Sequence, residues 1–280
     1  MDERYPDFPH HSEIHGFLRE YAEEFGLRER IRFGTAVQSA QRLDGGGWDI
    51  DGERFDALLV CNRHHWDPSY PSFPGSFDGP TIHSHHYIDP MEPLALPGKR
   101  VLVIGIGNSA VDIASELARK GVGEEAHPTV SSELLLRLGS GDAIVYATGY
   151  RISFPFFDPA FVSAPGNVLS LYKRMFKPEI DDLAFIGLGQ AIPTIFPFAE
   201  CQSKLAARWL GGDWALPARA ELEAETRRDE RRYLRHYSSR PRHTMQLDYY
   251  VYEHDLRTRV VPAGQRRARD RAAVPAPVTA

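Results

Sequence analysis

Cysteine is scarce: Cys61 and Cys201 are the only two in 280 residues. They form neither a C-x-x-C pair nor a disulfide framework, so reduced, buried thiols are expected. Long apolar runs are missing as well. No stretch approaches the roughly 18–20 uninterrupted apolar residues of a membrane span, and the opening MDERYPDFPHH has no basic segment leading into an apolar one. A cytoplasmic protein without membrane attachment is therefore expected. Positive charge is not in excess. With 33 Lys and Arg against 38 Asp and Glu, the net charge is −5, which leaves no electrostatic footprint for nucleic acid. What is present, 42% hydrophobic and 25% charged residues, is the make-up of a folded chain and excludes disorder throughout. The length admits one large or two small domains with their own cores.

Along the chain, Ser12 precedes Ile14, Phe17, Leu18, Tyr21 and Phe25, a spacing that predicts an amphipathic helix capped at Ser12 and closed by Gly26. Ile31–Ala40, Trp48–Asp51 and Ala57–Cys61, with the glycine turn at 45–47, predict a three-stranded meander. Three short apolar runs without alternation, Val101–Ile104, Ala143–Ala147 and Leu183–Gly187, read as buried parallel strands. Helices are expected over Ser131–Leu138, Ala199–Leu210 and 218–240, and a disordered basic tail over 257–280.

The strongest signal is Val101–Ile104 followed by Gly105-Ile106-Gly107-Asn108-Ser109-Ala110 and a helical pattern whose expected inner face is Val111, Ala114, Leu117 and Ala118. This is G-x-G-x-x-A between a buried strand and a helix, the arrangement that binds a dinucleotide. Gly105 permits the tight turn, Gly107 lets the backbone approach a pyrophosphate, and Ala110 lets helix and strand pack closely. The helix start then offers free N–H groups to the phosphates. A residue that discriminates the two nicotinamide dinucleotides belongs ~20 positions further on. There, Gly121–Thr129 carries no strand pattern, and Glu124 and Glu125 read more simply as solvated loop carboxylates.

Several stretches together resemble the flavin-containing monooxygenases and the related Baeyer–Villiger enzymes. Phe77–Tyr87 matches F-x-G-x-x-x-H-x-x-x-Y ahead of the glycine motif, and Ala147-Thr148-Gly149-Tyr150 looks like the family's second linker. Tyr5–Pro9, Leu183–Gln190 and Arg242–Asp248 are similar to family segments too. The resemblance implies an α/β, Rossmann-like FAD/NAD(P)-binding two-dinucleotide-domain flavoprotein fold, here incomplete. Residues 1–90 would be part of the FAD domain and a linker, 91–147 a shortened NADP-binding domain, and 148–256 the return to the FAD domain. It also implies an N,N-dimethylaniline monooxygenase-like reaction, in which FAD reduced by NADPH adds O2 to give a C4a-hydroperoxyflavin that oxygenates a small nucleophilic amine, sulfide or ketone. By that analogy Gly105, Gly107, Asn108, Ser109 and Ala110 contact NADPH, His83, Ser84 and Tyr87 belong to the linker beside it, and Thr148, Gly149 and Gln190 lie near the cofactors. The oxidative chemistry is the flavin's, so no catalytic side chain is assigned.

Three departures from the family pattern stand beside these matches. Tyr5 corresponds to a point beyond the family's first strand and FAD glycine motif. Gly105 and Gly149 are too close to hold a full doubly wound half, since each crossover takes at least ~10–12 residues; internal losses near 121–126 and 142–143 are expected. Arg63 stands where the family's linker usually has Gly, which is costly if the position needs φ > 0. Two rival readings remain: a remnant serving as a structural or interaction protein, and an NAD(P)-binding protein without flavin. The twelve histidines read as surface or hydrogen-bonded side chains rather than metal ligands. Phe154, Phe156, Phe157 and Phe161 line either a substrate channel or the core. The Tyr/His-rich segment 233–255 either covers the flavin domain or forms a homodimer contact.

Overall fold

The computed structural model describes residue 6 and residues 9–120, 123–127, 142–236 and 244–273. The first helix, α1 (His11–Glu24), is capped two residues earlier than expected. His10 takes the cap in place of Ser12: the Ser12 N–H donates to His10 Nδ1, and the His10 N–H donates to Glu13 Oε2 at 2.7 Å. None of its residues is buried.

Strands β1 (Ala40–Arg42), β2 (Trp48–Ile50) and β3 (Glu53–Phe55) form an antiparallel meander. Its membership differs from the sequence expectation. The apolar run after it, β4 (Leu58–Val60), leaves the meander and pairs in parallel with a strand more than a hundred residues later. Burial explains the switch: Val60 enters the core, whereas β3 is exposed throughout. After the short β5 (Asp67–Pro68), β6 (Thr81–His83) and β7 (Arg100–Ile104) lead to helix α2 (Asn108–Arg119), β8 (Gly123–His127) and β9 (Ala143–Tyr146). These four strands make one parallel sheet in the order β6-β9-β7-β8. β7 and β9 are buried on both faces, as their unbroken apolar runs require.

Two expectations about this region are corrected. Gly121–Thr129 does carry a strand, β8, whose five residues pair one for one with β7. The inner face of α2 is Ala110, Ile113 and Leu117, with Val111 turned to solvent. The expected helix Ser131–Leu138 lies outside the described residues.

Beyond β10 (Tyr150–Arg151), which pairs with β5, come β11 (Leu183–Phe185), the partner of β4, and β12 (Gln190–Ile192). Helices α3 (Phe196–Leu210) and α4 (Arg219–His236) follow, then β13 (Gln246–Asp248), parallel to β12, and α5 (Tyr249–Asp255). The chain does not dissolve into a tail after residue 257. A π-helical turn, Leu256–Val260, continues into α6 (Val261–Ala272). Leu256, Val260 and Gly264 are buried there, and Trp214 Nε1 donates to the Val260 carbonyl at 3.0 Å.

The apolar interior falls into three main groups. One gathers Trp48, Phe154, Phe157, Leu183 and Phe185, with Phe156 and Phe161 against it, so those phenylalanines are core. A second joins Tyr172, Phe176, Phe198, Trp214 and Leu247. The third holds α2 to the parallel sheet. The thiols are not buried as expected: Cys61 is exposed and Cys201 half-buried. Among the described residues no helix is long and apolar enough to cross a membrane.

Candidate functional site

The carboxyl ends of two separate sets of parallel strands open into one cavity of about 1390 Å³. From the four-stranded sheet it receives Ser84 after β6, Gly105–Ser109 after β7, and Ala147–Gly149 after β9. From the β4–β11 pair it receives Arg63, His64 and His65 after β4 and, beyond β11, Gln190 and Ala191. Ligands of open parallel sheets bind outside the carboxyl ends of the strands, where connections diverge to either side. The third wall is Thr244, Met245 and Gln246, fixed by the pairing of β12 with β13, in which Gln190 stands opposite Gln246 and its N–H donates to the Met245 carbonyl at 2.9 Å.

The glycine turn is built by exclusion. Gly105 has φ +140°, and a Cβ on it would stand 2.3 Å from the Ala147 carbonyl oxygen, so only glycine brings β7 and β9 together at their ends. Gly107 caps α2 in extended geometry without a side-chain hydrogen bond. The first-turn N–H groups of α2 therefore lack an internal acceptor, and Gly107, Asn108 and Ser109 present that end to the cavity. This is a cradle for a phosphate or pyrophosphate.

The wall between the two sheets is held by backbone and side-chain contacts. The Ser69 N–H donates to the Gly149 carbonyl at 2.9 Å, and the Thr148 hydroxyl donates to the Ser69 carbonyl at 2.5 Å. Arg151 Nη2 is 3.0 Å from Asp67 Oδ1. Asn167 receives the Ile152 N–H at 2.7 Å and donates to the Tyr150 carbonyl at 3.0 Å. Around Tyr150 stand the rings of His65, His83 and His85, with centroids 5.0–5.6 Å away.

Two histidines in this wall are held neutral. His64 is 5% exposed, and its Nδ1 is buried without a hydrogen-bond partner among the described residues, while a hydrogen-bonding contact from the Leu188 backbone to the ring favours the charged form. Burial, reinforced by His65 and by the Arg63 charge, pushes His64 down to about 3. His83 is fully buried and also lowered, chiefly by burial, while its Nδ1 accepts the His85 N–H at 3.0 Å.

Of the residues singled out in the sequence, Gly105, Gly107, Asn108, Ser109, Ser84, Thr148, Gly149 and Gln190 meet at the cavity. Three do not line it. Ala110 is buried between α2 and the sheet, where its small side chain permits close packing. His83 is fully buried in the wall and does not reach the cavity surface. Tyr87 packs on the same cluster as α2 and donates to Glu116 Oε2 at 3.1 Å. Sequence reasoning missed His64, Asp67, Arg151, Asn167 and the 244–246 wall. Arg63 was visible as an anomaly: it adopts φ +61°, the left-handed conformation that glycine would take without strain. Among the described residues no group of three or more His, Cys, Asp or Glu gathers to hold a metal.

Comparison with known proteins gives a consistent set of relatives. The profile of the FMO-like family, described as flavin-binding monooxygenase-like, matches residues 1–125 and 137–264. Flavin-containing monooxygenase 5 of Rattus norvegicus is 29% identical over 362 residues, covering 89% of this chain and 67% of the relative. Dimethylaniline monooxygenase [N-oxide-forming] 2 of the same organism is 28% identical, covering 91% and 68%. The solved structure of S-allyl-L-cysteine S-oxygenase from Allium sativum superposes with a TM-score of 0.74 at 26% identity, covering 94% of this chain and 68% of that one. The aligned span of 362 residues is longer than the 280-residue chain, so the rat relative carries internal segments without counterpart here.

Proposed function

The chain belongs to the flavin-binding monooxygenase-like family, and from that premise we propose that it binds NADP(H) and FAD and oxygenates a small nucleophilic amine, sulfide or ketone. Residues 1–90 and 148–256 serve the flavin side of the cavity and 91–147 the nicotinamide side. The observation that carries the reading is the uncapped start of α2, brought by Gly105 and Gly107 to the edge of a cavity that a second set of parallel strands also enters.

The residues present fit the pyrophosphate of NADP(H): Gly105 lets the end of β7 approach Ala147 where a Cβ would clash, which sets the turn at the cavity edge, and the backbone N–H groups at Gly107, Asn108 and Ser109 supply donors. Ala110 contributes by packing rather than contact, and His83, Ser84 and Tyr87 hold the neighbouring linker. Thr148, Gly149, Gln190 and Gln246 line the wall that would face a flavin ring. When bound, the two cofactors supply the reducing equivalents and the oxygen-activating chemistry. The chain's own part is to bind, orient and keep water out. The Thr148 hydroxyl, already donated to Ser69, fixes the second linker rather than a ligand, and half-buried Tyr150, packed on buried His83, backs the floor.

The test is to titrate the purified chain with FAD, record its visible spectrum, and measure NADPH-dependent oxygen consumption with N,N-dimethylaniline and S-allyl-L-cysteine. Flavin uptake with NADPH-driven oxygen consumption is the expected result. NADP+ binding with no flavin uptake overturns it.

A further inference from the structure

Arg63 is an expensive residue for its position. At φ +61° a non-glycine side chain is strained relative to glycine, and such strain persists where the surroundings hold it in place. The side chain runs past Gly187, whose missing Cβ would stand 4.0 Å from Arg63 Cγ, and so lies where the carboxyl ends of β4 and β11 meet the cavity.

The charges lining that cavity do not balance. Among the described residues its one lining carboxylate, Asp67, is matched to Arg151 at 3.0 Å. Arg63 makes no hydrogen bond or ion pair among the described residues. Among the described lining residues one guanidinium is left over, on a different sheet from the α2 cradle. Next to it in sequence lies the second, independent sign of a ligand: His64 is 95% buried, lines the cavity, and keeps Nδ1 without a partner. Because this imidazole is neutral, that nitrogen is able to accept an N–H or O–H from a bound molecule.

We propose that Arg63 is a specificity-determining residue that binds an oxyanion group, with His64 accepting a hydrogen bond from the same ligand, so that the cavity takes a nucleophile bearing a carboxylate. The guanidinium fork pairs with carboxylate or phosphate in two-point fashion, which a neutral amine or sulfide does not offer. This rests on the oxygenase reading above and names its substrate class. A phosphate of the dinucleotide presents the same chemistry, and the experiment separates the two sources.

The full chain, as wild type, R63G and R63K, is titrated calorimetrically with S-allyl-L-cysteine, with its methyl ester, and with NADP+. R63G relieves the backbone strain, so it folds at least as well as wild type. The expected result is a loss of about tenfold or more in affinity of R63G for the acid, little change for the ester, and substantial recovery in R63K. The same loss confined to NADP+ supports the oxyanion contact and assigns it to the dinucleotide. Equal weakening of acid and ester, unchanged affinity for all three ligands, or a wild type that binds neither acid nor NADP+ overturns it. Oxygen consumption with N,N-dimethylaniline, which has no carboxylate, reports on the oxygenase reading separately.

Discussion

At Gly105 a single hydrogen atom in place of a side chain decides whether β7 and β9 can end side by side. Gly105→Ala forces a Cβ onto the Ala147 carbonyl and asks an L-residue to adopt φ +140°. A destabilisation of about 1–3 kcal/mol from backbone strain alone is expected, with loss of NADP+ binding. Urea denaturation followed by tryptophan fluorescence, with and without NADP+, measures both. His64 makes a pH-dependent contribution whose sign is fixed by its environment. Folding lowers its pKa from the ordinary value near 6.5 to about 3, so between those values the unfolded chain binds a proton that the folded chain excludes. The contribution is complete above pH 6.5 and is lost as pH falls, by up to ~1.4 kcal/mol per pH unit. In H64N the slope of unfolding free energy between pH 6.5 and 5 flattens by about one proton. What remains includes His83, shifted in the same direction. An unchanged slope shows that His64 does not titrate as described.

Between elements, the clearest brace is Lys173. Its Nζ is 2.6 Å from Asp229 of α4 and 2.9 Å from Asp255 of α5, with the side chain 2% exposed. Lys173→Met leaves these carboxylates facing each other without their cation, and a loss of about 3–5 kcal/mol is expected. Trp214 ties the last helix down in another way. A Cβ on Gly264 would fall 1.8 Å from Trp214 Nε1, so α6 and the indole pack at glycine distance. Gly264→Ala therefore separates them, and tryptophan fluorescence in the folded state shifts to the red as the indole meets water.

That helix also marks where the sequence was hard to read. Residues 257–272 are rich in Arg and Ala and resemble a solvated tail, yet Leu256 and Val260, one turn apart, are enough to seat the turn on Trp214. The strand at 123–127, GEEAH, has no apolar alternation because it lies at the sheet edge and is specified by pairing with β7. β4 was legible as a strand but not by neighbour, since an apolar triplet does not say which partner lies 120-odd residues away. By contrast the β7–glycine–α2 unit was readable in its elements and order, because turn, strand and helix are contiguous, although the face α2 buries was misread. Half the cavity followed from it. The other half, Arg63 to His65 and Thr244 to Gln246, depends on long-range parallel pairing that leaves no local trace.

At the scale of the molecule, one cavity collects the carboxyl ends of strands from two sheets, and ligand binding there should couple to global stability. NADP+ at 100 times its dissociation constant raises the free energy of unfolding by about 2.7 kcal/mol, an increase read from melting followed by circular dichroism. No shift at saturating concentration contradicts an α2 cradle competent for the dinucleotide. The exposed apolar side chains at the amino-terminal end bear on how such melts are followed. Tyr21, Phe25, Ile31 and Phe33 are between 47% and 65% exposed on and just after α1. A surface of this kind takes up hydrophobic dyes such as ANS while every strand and helix is in place. Bright ANS emission in native buffer is therefore expected from the folded chain, and a dye-based unfolding assay is expected to start high.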